Sequence, residues 1–248
     1  MSSSISQAVR DLAEPKLAEF TAKLIPTVDP ERILGVRMPA LRKLAKKLLR
    51  EHPQEVTEFM AAVPHDFQEE DLLHVLLLNE ERDFATWHAE ITDFLPYMTN
   101  WTLTDAVSPA CVKGGKAANL PQLERSCLDW MVDDRVYAQR LGVVVLMSLL
   151  GTESFSPEHL RAVAALAGSE EYYVRVAVAW YFAEALARQE RAALPWFALA
   201  NSSGNIGSPG LPAVTLRMTI TKAIESRRIS DELKAELRQL RSTLPRRS

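Results

Sequence analysis

PQLERSCLDWMVDDRVYAQRLGVVVLMSLL (121–150) and SPEHLRAVAALAGSEEYYVRVAVAWYFAEAL (156–186) decide the fold. In each, apolar residues recur at helical spacing and the run divides in two. Leu123–Met131 pairs with Asp134–Leu149, and Pro157–Leu166 pairs with Glu171–Leu186. Each unit is two helices and a short turn, with a period of about 35–40 residues, that of a HEAT-type solenoid. The period lies in element lengths and not in a repeated motif. The expectation is an all-α superhelical solenoid of HEAT-like antiparallel helix pairs, one domain over residues 1–248.

Upstream of this region the same periodicity continues. Residues 6–25 carry a stripe of Val9, Leu12, Leu17, Phe20 and Leu24 that reads as one helix ending at Pro26. Asp29-Pro30-Glu31 is a capped helix start. Pro39 opens a helix to about Arg50, Pro53 another to Ala62, and Gln68–Leu78 and Phe84–Tyr97 follow. Lys113-Gly114-Gly115-Lys116 reads as a flexible basic loop, and residues 201–212 (NSSGNIGSPGLP) as a mobile one. Ala213–Ser226 and, after a Ser230-Asp231 cap, Glu232–Leu240 close the chain.

With 248 residues, 47% of them hydrophobic, the chain can bury a sizeable core. No apolar run approaches the roughly 18 residues of a membrane span, and Met1–Ile5 lacks the features of a signal peptide, so a cytoplasmic protein is expected. Cys111 and Cys127 have no neighbouring His pair and read as reduced thiols, neither a disulfide framework nor a zinc site. His74, His88 and the other histidines lack metal-ligand spacing. Neither a metal nor an organic cofactor is expected.

The net charge of −3 conceals segregation: residues 1–50 sum to +5, residues 51–100 to −11, and residues 201–248 to +5. Arg42, Lys46 and Arg50 form an i, i+4, i+8 row, with Lys43 and Lys47 beside it and no interleaved acid. Such a face is either a simple solvated surface or the footprint of a polyanion. In the second reading it borders a cleft together with the basic C-terminal helix, and the acidic 69–83 segment faces away.

Asn100-Trp101-Thr102-Leu103-Thr104-Asp105 places Trp101 and Asp105 on one helical face, about 6 Å apart along the axis. An aromatic face beside a carboxylate suits a cationic ligand. The plainer alternative is a buried Trp and a solvated Asp in the first turn of a helix. Taken alone, Trp180 reads as core, and Arg140 reads equally well as an interhelical salt-bridge arginine or as a functional one. Tyr172-Tyr173 reads as packing between repeats rather than as a base-stacking platform.

GVRMPALRKLAKKL (35–48), NWTLTD (100–105), YAQRLG (137–142) and YYVRVAVAWYFAEAL (172–186) together resemble the DNA alkylation repair family, the AlkC/AlkD-like glycosylases. The likeness runs from about Ile25 to Leu240, and KAIESRRIS (222–230) looks most like a shorter branch. The resemblance implies a HEAT-like superhelix holding duplex DNA on a basic concave face and excising cationic N3- or N7-alkylated purines without a flipped-base pocket. By position, Trp101 and Asp105 match the aromatic–carboxylate pair, Asp105 being the catalytic residue, and Trp180 matches a second cleft tryptophan. Arg140 matches an arginine near the DNA backbone, with Arg37, Arg42, Lys43, Lys46 and Lys47 as further DNA contacts. Relatives often carry another Trp where this chain has Asn100. The expected partner is double-stranded DNA containing alkylated bases, bound by a monomer with no membrane. The alternative is a non-catalytic HEAT-repeat module that binds nucleic acid or protein.

Overall fold

Prolines punctuate the chain. Pro15, Pro39, Pro53 and Pro157 each sit in the first turn of a helix, where the missing N–H costs no hydrogen bond. The computed structural model describes residues 4–112, 117–200 and 209–245. The fold is all-α: among the described residues lie fourteen α-helices, and the only β pairing there is an isolated bridge between Leu199 and Leu211. The helices group into two compact units, residues 1–119 and 120–248. None is long and apolar enough to cross a membrane. The basic loop expected at 113–116 and most of the loop expected at 201–212 lie outside the described residues.

The first unit comprises α1 (Ser4–Arg10), α2 (Pro15–Leu24), α3 (Met38–Glu51), α4 (Pro53–Ala61), α5 (Gln68–Leu78), α6 (Phe84–Phe94) and α7 (Trp101–Ala106). Its centre is α5, all eleven residues of which are buried. It packs against α1, α3, α6 and α7, so an apolar stripe on one face would not have sufficed. The single helix expected over 6–25 is instead α1 and α2, broken just before Pro15, whose ring disfavours helical backbone at the residue ahead of it. Its expected stripe is only partly core, for Phe20 and Leu24 are exposed.

The second unit comprises α8 (Leu120–Met131), α9 (Val136–Leu146), α10 (Pro157–Ala165), α11 (Tyr172–Arg188), α12 (Glu190–Ala193), α13 (Ala213–Glu225) and α14 (Asp231–Thr243). Helix α8 packs on α9, and α11 on α9, α10 and α13. Gly142 permits the first of these approaches, since a Cβ there would lie 2.5 Å from the Cys127 carbonyl oxygen. Tyr181 and Phe182 of α11 are fully buried.

Candidate nucleic-acid interface and its carboxylate

Helix α7 is only six residues long and is held at both ends by α5. At its start, Asn100 is fully buried and caps the helix, its Oδ1 accepting from the Thr102 N–H at 3.0 Å. Gln68 locks that cap: Asn100 Nδ2 donates to Gln68 Oε1 at 2.8 Å, and Gln68 Nε2 donates to Thr102 Oγ1 at 2.9 Å. At the other end, Asn79 Nδ2 donates to the Ala106 carbonyl at 2.8 Å, while Asn79 Oδ1 accepts from the Ser108 N–H at 2.7 Å. Gln68 and Asn79 stand eleven residues apart, about three helical turns, and so share a face of α5. A helix too short to be stable alone thereby gains a fixed position.

This places the two site residues of the first unit. Trp101 is half-buried; its indole N–H donates to the Leu24 carbonyl at 3.1 Å and its ring packs on Ile25, Val28 and Ile33. Asp105 is half-buried at the other end of the same helical face, within 3.3 Å of Thr104 Oγ1. Asn100 is thus the cap that sets the pair's geometry.

The basic row stands on α3, where Arg42, Lys43, Lys46, Lys47 and Arg50 are all exposed. These five side chains line a groove of about 680 Å³, with Leu76, Asn79, Glu80, Ala106 and Ser108 on the opposite side. The C-terminal end of α7 therefore opens onto the basic wall. Lys47 and Arg50 are paired with Glu51, whereas Arg42, Lys43 and Lys46 have no ion-pair partner among the described residues. Arg37 differs from the row. It precedes α3 and grips Glu14 with two hydrogen bonds of 2.7 and 2.8 Å, which raise its pKa.

The acidic segment does not simply face away. Glu69, Glu70 and Asp71 are buried. Glu69 receives three consecutive backbone N–H groups, Leu34 at 2.9 Å, Gly35 at 2.8 Å and Val36 at 3.4 Å. That concave array needs Gly35, whose φ of 75° is left-handed and whose added Cβ would meet Ala18 N at 2.3 Å. Glu70 accepts from the Asp66 and Phe67 amides, capping α5. Glu80, by contrast, is exposed and lines the basic groove itself, because the end of α5 runs alongside α3.

Asp71 pairs with Arg32 at 3.2 Å, yet burial pushes its carboxyl up to about 7, helped by Glu70 and Glu69 and opposed by Arg32. Between about pH 4 and 7 the folded chain then holds a proton that the unfolded chain has released, so this group's contribution to stability falls as pH rises. Asp71→Asn removes the titration and keeps an acceptor for Arg32. Urea unfolding should find the variant gaining on the parent by on the order of 2 kcal/mol from pH 5 to 8. A constant difference across that range would mean that Asp71 is ionised throughout.

Two named residues belong to the second unit. Arg140 of α9 is buried, and its Nη1 donates to the Tyr173 carbonyl at 2.7 Å, fastening the first turn of α11. Trp180, further along α11, is half-buried while its neighbours Ala179 and Tyr181 are fully so. It is therefore a surface-reaching aromatic on a core helix. Glu184 pairs with Arg188 and Arg228, a structural use.

No group of three or more His, Cys, Asp or Glu that could hold a metal ion occurs among the described residues. His65 and His74 meet at 2.9 Å between stacked Phe59 and Phe94 rings, and burial lowers both pKa values, that of His74 to about 3. They are neutral core residues. Sequence reasoning missed Gln68, Asn79 and Glu69; the available signal was the three-turn spacing that puts Gln68, at the start of α5, and Asn79, its C-cap, on one face.

The sequence model of a family described as DNA alkylation repair enzyme matches residues 5–204 of the chain. A comparison with curated proteins returns no match.

Proposed function

Because the chain belongs to the DNA alkylation repair enzyme family, we propose that it is a DNA glycosylase acting on cationic N3- or N7-alkylated purines in duplex DNA. The observation that carries the reading is α7: pinned at both ends, it presents Trp101 and Asp105 on one face, and its end opens onto the α3 groove lined by Arg42, Lys43 and Lys46. In this reading the helix pairs of residues 1–248 form one HEAT-like superhelix acting as a monomer in the cytoplasm. Trp180 joins Trp101 and Asp105 at the lesion, and Arg140 stands near the DNA backbone.

The chemistry needs little from the protein. An alkylated purine already carries positive charge, so when the C1′–N bond breaks its electron pair neutralises the base, which leaves without prior protonation. Positive charge passes to the deoxyribose, where the Asp105 carboxylate stabilises it and orients a water. Water oxygen bonds to C1′, its proton passes to the carboxylate or to solvent, and an abasic site remains. The indole faces add cation stabilisation of roughly 0.5–2 kcal/mol each. Arg42, Lys43 and Lys46 meet phosphates by charge, while Lys47 and Arg37 first exchange Glu51 and Glu14 for them.

The test is incubation with duplex DNA containing N7-methylguanine or N3-methyladenine, reading released base, with binding followed across salt. Release is expected, and affinity should fall steeply with salt because each neutralised phosphate frees a counterion. Replacing Arg42 and Lys46 by Ala should flatten the log–log slope by about 2. Binding without release of any cationic base would overturn the glycosylase reading in favour of a binding module. Salt-independent binding, or none at low salt, would overturn the electrostatic account.

A further inference from the structure

A second groove, of about 650 Å³, lies wholly within the second unit between α11, α13 and α14. The family match stops at residue 204, so α13 and α14 lie outside the matched part of the chain. Four cations line this groove, Arg175, Arg217, Lys222 and Arg241, against the single carboxylate of Glu225. Positions 214, 217, 218, 221, 222 and 225 of α13 recur at intervals of three and four and so share one helical face.

The cations are held in place rather than loosely displayed. Arg217 Nη2 donates to the Leu244 and Pro245 carbonyls, and Arg241 Nη1 reaches Thr221 Oγ1 at 3.3 Å. Arg175 donates Nη1 to the Ser169 carbonyl, which fixes the guanidinium where it lines the groove. Lys222 has no ion-pair partner among the described residues.

The rest of the lining narrows the anion. Tyr172, expected to pack between repeats, is instead 57% exposed at this groove. Its neighbour Tyr173 takes the packing role, with ring centroids 6.3 Å from Tyr137. Val176, Val214 and Met218 supply apolar surface beside Tyr172. An aromatic face and an apolar floor next to a cluster of cations match an unpaired base with its phosphate. The volume is that of a small-ligand site. We infer that this groove is a nucleotide site, taking a nucleoside phosphate whose base stacks on Tyr172 and whose phosphate meets Arg175 and Lys222. The source is either a free mononucleotide or an unpaired nucleotide of a DNA strand.

The inference goes beyond the glycosylase reading and stands on the groove's own composition. Its test uses the full chain carrying Asp105→Asn, which makes it independent of excision. The probe is a short, labelled, 5′-phosphorylated oligothymidylate at about 20 mM salt, with thymidine monophosphate, inorganic phosphate and polyglutamate as competitors. Binding is expected. Tyr172→Ala should weaken it about five- to a hundredfold through lost stacking. Lys222→Glu should weaken it and lower the salt slope by about 1. Both side chains lie at the groove surface, and unchanged far-UV circular dichroism and melting would certify the fold. Competition by thymidine monophosphate identifies the free nucleotide as the source; competition by longer strands alone identifies the strand. Absence of binding, unaltered binding in both variants, or competition by polyglutamate or inorganic phosphate as strong as by nucleotide would overturn the assignment.

Discussion

Asp105→Asn should lower release of N7-methylguanine or N3-methyladenine from duplex DNA by at least tenfold, and up to roughly a thousandfold. The substitution keeps size and hydrogen-bonding shape and removes only the negative charge, and loss of one aligned electrostatic stabiliser typically costs about 2.7–4 kcal/mol in the transition state. Asp105 is half-buried on a helix fixed at both ends, so under the glycosylase proposal its carboxylate is held in place and needs little reorganisation at bond cleavage. DNA affinity should hold or rise slightly, because the phosphate backbone repels a carboxylate. Single-turnover release and equilibrium binding, measured on the same lesion duplex, separate the two effects. Unchanged excision would reduce Asp105 to a structural residue of α7. A parallel loss of binding and release would instead point to disturbed folding.

Glu69→Ala should be strongly destabilising to the first unit. It removes the acceptor of three neighbouring backbone N–H groups at a residue that is only 3% exposed. Each N–H left unpaired costs about 1–3 kcal/mol, a ceiling of roughly 3–9 kcal/mol for the three. Because the Val36 contact is long at 3.4 Å and water reaches part of the array, about 3–5 kcal/mol is expected. That is a large part of a typical folding free energy of about 5–15 kcal/mol. Thermal unfolding should shift down by roughly 10 °C. Glu69→Gln, retaining one acceptor oxygen, should fall between the parent and Ala. A melt for Glu69→Ala within about 2 °C of the parent would show that water replaces the carboxylate at no cost. The change also bears on function, since Gly35 and Val36 lead directly into α3 and its cations.

Much of the architecture was legible along the chain because helix starts are local events. Pro39, Pro53 and Pro157, the Ser230-Asp231 cap, and apolar spacing placed α3 to α7, α10, α13 and α14 within a few residues. The short α12 escaped notice, for a single turn carries no period to read. Trp101 and Asp105 were legible as a pair for the same reason: helical geometry alone sets an i, i+4 relation. The cationic row on α3 was equally plain, being a period written in one residue class.

Partners are another matter. Spacing determined that α3 would show Arg42 and Lys46 on one face, that Trp101 and Asp105 would share another, and that helices would make up the fold. It could not determine that the acids at 69–71 turn inward, because Glu69 meets amides 33 to 35 residues earlier in the chain. Nor could it show that Glu14 takes Arg37, that Phe20 stays exposed while Tyr181 is sealed, or that Tyr172 faces a groove while Tyr173 packs. A helical period specifies which side chains share a face. Only tertiary packing specifies what that face meets, and with it whether a charge is solvated, paired or held ready for a ligand.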